Sequence, residues 1–173
     1  MSILNSTMLR VGTDKDAAGI EAVLTTAFGR REEAALVANL RAAGACAYTL
    51  VAVVGEEIVG CCIFSPVTIE PVHMVWRGLG LGPIGVLPAY QKRGVGGKLI
   101  RASLPVLADK GYHTVVLLGH PSYYPRFGFV PGHELGLATT YDVPAEVFMA
   151  QNLRVGVPAV VGTVHYHPVF AGV

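Results

Sequence analysis

The chain has 173 residues, a length typical of one domain with a substantial hydrophobic core, and we expect residues 1–173 to form a single domain. Its 13 Lys and Arg nearly balance its 12 Asp and Glu, so it lacks the basic excess of a nucleic-acid-binding protein. Its apolar runs are broken by Gly, Pro or charged residues and fall short of the roughly 20 residues that a membrane span needs. The composition therefore predicts neither nucleic acid nor a membrane as a partner.

The N-terminus and the cysteines favour a cytoplasmic protein. The first residues lack the basic and the long apolar segments of a secretory signal. Cys46, Cys61 and Cys62 are an odd number of cysteines without metal-ligand spacing, which is typical of buried, reduced thiols. His165 and His167 alternate along a predicted strand, but no third ligand accompanies them. We therefore predict a cytoplasmic location and no metal.

The N-terminal half predicts a short strand, two helices and a hairpin. Thr13 and the following aspartates supply N-cap chemistry for the first helix, and Gly44 ends the second. A Gly55-Glu-Glu turn between two apolar runs is typical of a hairpin. In chain order these elements are a strand over 9–11, a helix carrying Ile20 to Phe28, a helix over 31–43, and strands over 48–54 and 58–67.

The next elements are a strand over 79–86, a helix over 95–110 and a short apolar strand over 114–118. Pro105 removes one backbone donor from the helix, so we expect a kink or an early break there. The helix forms a crossover between two neighbouring parallel strands. This order predicts an α+β fold, with a mixed, mostly antiparallel central sheet flanked by helices.

A basic, glycine-rich loop connects the strand over 79–86 to the helix that follows it. Free N–H groups in a first helical turn and the positive end of the helix dipole favour an anion. The glycines let a phosphate approach the backbone, and Lys98 adds positive charge to that of the loop. The candidate phosphate-binding residues are Gln91, Lys92, Arg93, Gly94, Val95, Gly96 and Gly97.

A dinucleotide-binding loop is the alternative interpretation of these glycines, and the sequence argues against it. That fingerprint needs a third glycine three residues after the second, but position 99 is Leu. It also needs an acidic residue about 20 residues further on. The chain has Leu117-Leu-Gly-His120 in that region, so the dinucleotide interpretation fails.

Two segments resemble the GCN5-related N-acetyltransferase (GNAT) superfamily. The string Gln91-Lys-Arg-Gly-Val-Gly96 resembles its Gln/Arg-x-x-Gly-x-Gly/Ala signature, and Ile84-Gly-Val-Leu-Pro88 resembles its cofactor-facing strand end. The string Tyr123-Tyr-Pro-Arg-Phe-Gly-Phe129 is similar to the Tyr-x-x-x-Gly-Phe element, in the form found in the bacterial YhbS-like subgroup. Segments over 146–149, 153–154 and 162–170 resemble that subgroup's C-terminal strands, so the resemblance covers nearly the whole chain.

This resemblance implies an acyl-CoA N-acyltransferase fold and an enzyme that transfers acetyl from acetyl-CoA, its co-substrate, to a primary amine of a small molecule or peptide. The resemblance also implies direct transfer within a ternary complex. It implies that the loop over 94–97 holds the pyrophosphate and that Ile84, Gly85 and Val86 face the pantetheine arm. It places Tyr124 near the sulfur, where a phenol with a pKa near 10 can hydrogen-bond or protonate a thiolate whose conjugate acid has a pKa of about 8.5.

Several questions stay open at the level of sequence. Many family members carry a glutamate on the strand before the loop, but the strand over 79–86 has no acidic residue. The base is then Glu70, His120 or a water chain, with His73 as a weaker candidate. Cys61 and Cys62 lie in an apolar strand pattern, so we expect no acyl-cysteine intermediate. A non-catalytic acyl-CoA sensor and a transferase for another acyl-CoA are the alternatives. A homodimer is compatible with the sequence, and the acceptor is unspecified.

Overall fold

The structure is a computed structural model and describes residues 2–172. These residues form four α-helices and nine strands, together with short 3-10 turns. The helices are α1 (Ile3–Ser6), α2 (Ala17–Phe28), α3 (Glu32–Ala42) and α4 (Val95–Asp109). The strands are β1 (Met8–Val11), β2 (Tyr48–Val54), β3 (Glu57–Glu70), β4 (Gly78–Val86), β5 (Thr114–Leu118), β6 (Val130–Pro131), β7 (Leu137–Thr139), β8 (Phe148–Asn152) and β9 (Gly162–His165).

The strands are hydrogen-bonded in the order β1-β2-β3-β4-β5-β8-β6, and β9 pairs with both β3 and β7. The pairs β4–β5 and β7–β9 are parallel, whereas β1–β2, β2–β3, β5–β8, β6–β8 and β3–β9 are antiparallel. Helix α4 connects the parallel strands β4 and β5, as a crossover must. The α+β fold class with its mixed, mostly antiparallel sheet and flanking helices is therefore confirmed.

The chain divides into two compact units. The first unit comprises Met1–Ser65, Gly82–Ser103 and Pro168–Val173, and the second comprises Pro66–Leu81 and Leu104–His167. In the first unit, one face of α2 packs against the strands β2 and β3. This core buries Ile20, Val23, Leu24, Val51, Cys61 and Ile63.

The core of the second unit is apolar with one aromatic anchor. Trp76 is buried, and its indole N–H donates a hydrogen bond of 3.1 Å to the Thr114 hydroxyl. That hydroxyl in turn donates to the side-chain carbonyl of Asn152 at 2.9 Å, so both hydroxyl roles are satisfied. The apolar residues around Trp76 are Val67, Ile69, Val116, Leu137, Phe148, Ala150, Val160 and Val164.

The predicted bounds agree closely with the structure for β2 and β5 and less closely elsewhere. The strand predicted over 58–67 extends to Glu70, because Thr68, Ile69 and Glu70 pair with β9, far along the chain. The expected early break at Pro105 is wrong, since α4 runs through it to Asp109. Buried apolar residues lie on both sides of that proline, and their burial outweighs the loss of one backbone hydrogen bond.

The C-terminal segment differs from the expected strands. Strand β8 ends at Asn152, so Leu153 and Arg154 are not in a strand. Strand β9 ends at His165, so His167 lies beyond it, and Pro168–Gly172 forms a 3-10 turn. Pro168 has no backbone N–H to donate to a strand hydrogen-bond ladder, and the residues after it pack against α3 instead. Within residues 2–172 the structure shows neither a cluster of metal-ligating side chains nor a helix long and apolar enough to cross a membrane.

The start of α2 depends on the buried carboxylate of Asp16. Arg10 donates two hydrogen bonds to this carboxylate, at 2.7 and 2.8 Å, and the Thr13 backbone N–H donates a third at 2.7 Å. The Arg10 guanidinium, followed by the Thr13 donors, holds the pKa of Asp16 well below its ordinary value despite burial. The carboxylate therefore ties β1 to the turn that begins α2.

We predict that Asp16→Asn lowers the free energy of unfolding at pH 7 by about 1–3 kcal/mol, because charge-assisted hydrogen bonds are lost. Since the pKa of Asp16 is lower in the folded chain, its contribution is present above the unfolded pKa of about 3.9 and is lost as pH falls towards the folded pKa. Urea unfolding at pH 7 and pH 3 measures both effects.

The control is Asp14→Asn, which removes an exposed ion pair of 2.8 Å with Arg41 and changes stability little at either pH. An equal difference between wild type and Asp16→Asn at pH 7 and pH 3 contradicts the assigned role of the carboxylate.

Candidate functional site

The loop after β4 is braced by a side chain of its own. The chain leaves β4 at Val86, turns through the 3-10 segment Pro88–Tyr90 and enters α4 at Val95. The side-chain amide of Gln91 donates a hydrogen bond of 2.8 Å to the Val86 carbonyl. The Leu87 N–H donates to the Val59 carbonyl at 2.8 Å, which extends the pairing with β3 past the last strand residue. The loop therefore starts from a fixed point on the sheet.

Two residues of the loop have a left-handed backbone. Lys92 has φ +58° and is the only non-glycine residue with positive φ within residues 2–172, and Gly94 has φ +84°. This conformation costs a non-glycine residue about 1–2 kcal/mol. Left-handed residues in turns aim successive N–H groups at one point, which forms an anion-binding concavity. The loop geometry therefore suits an anion in front of the first turn of α4.

The cationic side chains around this loop differ in their surroundings. The side chains of Gln91, Lys92 and Arg93 are exposed, as an anion arriving from solvent requires. Val95 is buried, so only its backbone N–H is available to a ligand. The ammonium of Lys98 donates a hydrogen bond of 2.6 Å to the Thr7 carbonyl. The sequence predicted all these cations as charge for the loop, but Lys98 also holds α4 to the segment before β1.

The end of β4 is unpaired on the side of β5. The register joins Gly78 to Thr114 and Gly80 to Val116, and no pairing with β5 continues from Leu81 to Val86. The predicted strand-end residues Ile84, Gly85 and Val86 all lie in this stretch. A Cβ built at Gly85 would lie 3.0 Å from Cδ2 of Leu24, so glycine here lets α2 pack closely on the strand. That packing role was not predicted from the sequence.

Tyr124 lies in the second unit, in the turn that follows β5. It begins the 3-10 segment Tyr124–Phe127, and its ring packs edge-on against Tyr123 and Phe129 at 5.0 and 6.0 Å between centroids. A Cβ built at Gly119 would lie 2.6 Å from Cδ2 of Tyr124 and nearer still to Cε2. The ring therefore rests directly on the glycine that follows β5, so no other residue fits at position 119 without moving the tyrosine.

The environment of Tyr124 keeps its phenol protonated. Burial, followed by the neighbouring Tyr123 hydroxyl, raises the pKa of Tyr124 to about 12. The structure places no hydrogen-bond partner from residues 2–172 on the Tyr124 hydroxyl. Arg126 donates a hydrogen bond of 2.9 Å to the Tyr123 carbonyl and stacks over the Tyr123 ring at 4.6 Å. The result is a rigid aromatic turn that holds a neutral O–H donor.

The three residues considered as bases have different surroundings. Glu70 is exposed, and its Oε2 lies 3.2 Å from Nε2 of His165, a contact without hydrogen-bond geometry. His120 is exposed, and its Nδ1 lies 3.0 Å from the Ser122 hydroxyl. His73 has a buried Nδ1 without a hydrogen-bond partner in the described part of the chain. None of these contacts selects one of the three as the base.

The two adjacent cysteines are buried, and their thiols are difficult to ionise. Cys61 and Cys62 are buried, and burial raises the pKa of each thiol to about 12. The thiol of Cys62 lies 3.6 Å from the Ser103 hydroxyl, which donates to the Leu99 carbonyl. Because the thiolate is the nucleophilic form, neither residue is suited to carry an acyl group.

The family assignment rests on comparison with known sequences. Residues 45–131 match the family model described as an acetyltransferase (GNAT) domain. The chain is 39% identical over 153 residues to the uncharacterized N-acetyltransferase YjhQ of Escherichia coli K12, covering 82% of both chains. It is 33% identical over 165 residues to the uncharacterized N-acetyltransferase YhbS of the same strain, covering 94% of this chain and 98% of that protein. The chain belongs to the GNAT acetyltransferase family.

Solved structures of relatives have the same fold. The Escherichia coli GNAT family N-acetyltransferase YhbS, in complex with CoA, matches with a TM-score of 0.89 and 32% identity, covering 95% of this chain and 92% of that one. A GNAT family acetyltransferase from Brucella melitensis, in complex with acetyl-CoA, matches with a TM-score of 0.78 and 36% identity, covering 95% of this chain and 97% of that one. These matches confirm the predicted acyl-CoA N-acyltransferase fold.

Two supporting roles were not predicted from the sequence. The side chain of Gln91, a predicted residue of the phosphate-binding loop, also braces that loop on Val86. Gly119 was not singled out, although the ring of Tyr124 requires it. The position of Gly119 could have indicated this role, because a glycine directly after an apolar strand often marks a close approach of another group.

We predict that Gly119→Ala lowers the free energy of unfolding by about 1–3 kcal/mol, because its new methyl group overpacks against the Tyr124 ring. In a Tyr124→Ala background the same substitution costs much less, with a coupling of about 0.5–3 kcal/mol. Urea unfolding of the four proteins of this double-mutant cycle measures the coupling, and strictly additive effects contradict the contact.

Proposed function

We propose that this chain transfers the acetyl group of acetyl-CoA to a primary amine by direct attack within a ternary complex. The proposal rests on the left-handed, glycine-rich loop that leads into α4. It is supported by family membership and by the relatives whose structures hold CoA and acetyl-CoA. Acetyl-CoA supplies a thioester, an acyl donor that an amine nitrogen attacks with loss of a thiolate.

The loop over 91–97 is proposed to bind the pyrophosphate. Its backbone N–H groups and the positive end of the α4 dipole attract the two phosphates. Lys92 and Arg93 are exposed and add charge, while Gly94, Gly96 and Gly97 leave the backbone open to the ligand. In this interpretation Gln91 is a positioning residue, because its side chain holds the loop to Val86.

The strand end is proposed to hold the pantetheine arm and the thioester. Ile84, Gly85 and Val86 have no strand partner in β5, so their backbone groups can pair with the amides of an extended ligand. A strand-end N–H near Val86 would donate to the thioester carbonyl. Such a donor stabilises the negative charge that develops on the oxygen during attack, and donors of this kind are often a large catalytic contribution.

Tyr124 is proposed to donate a hydrogen bond to the leaving sulfur. The amine nitrogen forms its bond to the carbonyl carbon, the C–S bond breaks, and the electron pair of that bond stays on the sulfur. Full proton transfer from a phenol with a pKa of about 12 to a thiolate whose conjugate acid has a pKa of about 8.5 costs about 5 kcal/mol. The raised pKa therefore favours hydrogen bonding over proton transfer, and the thiolate takes its proton from solvent or from the attacking amine.

The base that deprotonates the amine is His120, Glu70 or a water chain. His120 shares a turn with Tyr124, since its carbonyl accepts the N–H of Tyr123 at 3.0 Å. Glu70 is exposed beside His165. Binding geometry alone is sufficient for an amine that is already partly neutral, because orientation itself contributes strongly to rate.

An acyl-CoA sensor without turnover is the second candidate function. The observation that favours it is the lack of an acidic residue on β4, where many family members carry a glutamate. A transferase for a different acyl-CoA is a variant of the main proposal, because a phosphate-binding loop does not distinguish acyl chains.

The first test addresses the loop. We predict that Gly94→Ala weakens CoA binding about tenfold or more, because a Cβ at φ +84° strains the loop and obstructs the approach of a phosphate. Gly44→Ala is the matched control, since Gly44 has φ +66° at the end of α3 with open space around it. Isothermal titration calorimetry measures both affinities, and equal affinities in the two variants contradict the proposed loop function.

The second test addresses turnover. We predict that wild type releases CoA from acetyl-CoA with at least one member of a panel of primary amines. Tyr124→Phe lowers kcat by about 10–100-fold, the effect of losing a hydrogen bond to a charged group, with little change in KM for acetyl-CoA. The ratio of the two rates stays constant from pH 7 to 9.5, because a phenol with a pKa of about 12 remains protonated there.

Tyr123→Phe is the matched control and retains wild-type kcat. Binding of acetyl-CoA without CoA release from any amine supports the sensor instead. Equal rates for wild type and Tyr124→Phe contradict the role of the tyrosine.

A further inference from the structure

Three residues meet at one edge of the sheet, each just outside the end of a strand. The register joins Gly78 of β4 to Thr114 of β5, and Thr114 to Asn152 of β8. Arg77 and His113 precede the first two strands, and Leu153 follows the third. Arg154 follows Leu153. Adjacent strands therefore bring Arg77, His113 and Arg154 to the same edge of the second unit.

Backbone hydrogen bonds fix this edge around His113. The His113 N–H donates to the Arg77 carbonyl at 2.8 Å, and the Leu153 N–H donates to the His113 carbonyl at 2.8 Å. The Arg77 N–H donates to Nδ1 of His113 at 2.9 Å. Because Nδ1 accepts this bond, the neutral imidazole carries its proton on Nε2. Within residues 2–172 the structure shows no acceptor for that N–H.

The guanidinium of Arg77 is also held in place. It lies flat over the Tyr112 ring, 4.4 Å from the centroid, and donates a hydrogen bond of 3.2 Å to the Lys110 carbonyl. One donor is therefore used by the residue that follows α4, while the other guanidinium donors have no acceptor in the described part of the chain. Arg154 is exposed and has no ion-pair partner among the described residues.

Among the described residues, the electrostatic surroundings of His113 contain no carboxylate partner. The groups that act electrostatically on His113 are Arg154, Arg77 and His73, and none of them is a carboxylate. Burial, followed by Arg154, Arg77 and His73, lowers the pKa of His113. The edge therefore combines uncompensated positive charge with a fixed N–H donor.

We propose that this edge is a binding site for the phosphate group of a small molecule, held by the Nε2–H of His113 and the guanidinium groups of Arg77 and Arg154. Guanidinium groups bind phosphate oxygens with paired, charge-assisted hydrogen bonds. A phosphate dianion is attracted more strongly to each guanidinium group than a singly charged carboxylate is. None of these residues belongs to the loop over 91–97, so the site is additional to the one proposed for CoA.

Binding of a phosphate has a local consequence that can be measured. An anion beside His113 offsets the cations that lower its pKa, so the pKa of His113 rises when the site is occupied. The imidazole responds directly, without any enzyme turnover. The proposal therefore stands or falls independently of the proposed acetyl transfer.

The test is a pH titration of the histidine Cε1–H NMR signals, in sodium phosphate and in sodium chloride of the same ionic strength, without CoA. The expected result is a rise in the pKa of His113 in inorganic phosphate, with no change at His133, which lies in another turn of the second unit. A parallel titration with glycerol 3-phosphate shows whether an organic phosphate monoester binds more tightly than the free ion.

Variants separate this site from other phosphate sites. Arg154→Gln is expected to weaken phosphate binding at His113 about tenfold or more, Arg154→Lys partly restores it, and Arg31→Gln, an exposed arginine of the first unit, leaves it unchanged. Gly94→Ala, which alters the loop before α4, keeps the His113 response. An equal rise in chloride, no rise in either phosphate, or a rise that survives Arg154→Gln overturns the proposal.

Discussion

The proposed chemistry of this protein depends on the way the chain leaves β4 and enters α4. The Gln91 side chain holds the loop to the Val86 carbonyl, and the left-handed conformations of Lys92 and Gly94 turn the backbone towards the first turn of the helix. Lys98 then donates to the Thr7 carbonyl and holds the start of α4 to the segment before β1. An anion site made of backbone N–H groups has no affinity of its own unless those groups are held in one direction before the ligand arrives, and these contacts do that.

A second constraint acts on the side chain proposed to meet the sulfur. The ring of Tyr124 rests on Gly119 and between aromatic neighbours, so its position follows from packing and not from a hydrogen bond to the hydroxyl. The same packing removes water from the phenol and raises its pKa to about 12. Burial therefore decides which of two roles a tyrosine can have here, since a phenol that is difficult to ionise donates a hydrogen bond well and gives up its proton poorly.

Much of the fold could be predicted because its information is local. Helical spacing of apolar residues, cap residues and the Gly55-Glu-Glu turn identify α2, α3 and the β2–β3 hairpin, and an uninterrupted apolar run identifies β5. The errors occur where distant segments decide. Strand β3 reaches Glu70 only because β9 pairs with its end, and α4 continues through Pro105 because buried residues flank it. The segment after His165 resembles a strand in composition, yet it turns and packs on α3.

The sequence by itself determined the family and the fold class. It also located the loop that we propose binds phosphate, because glycines, cations and a helix start lie within one short stretch. It also marked Tyr124 through its spacing from Gly128. Only the tertiary structure decided what the supporting residues do: that Gln91 braces the loop, that Gly85 and Gly119 make room for α2 and for the tyrosine ring, and that Arg77, His113 and Arg154 share one edge. Arg77 and Arg154 are 77 positions apart, and strand register, which no local pattern encodes, brings them to the same edge.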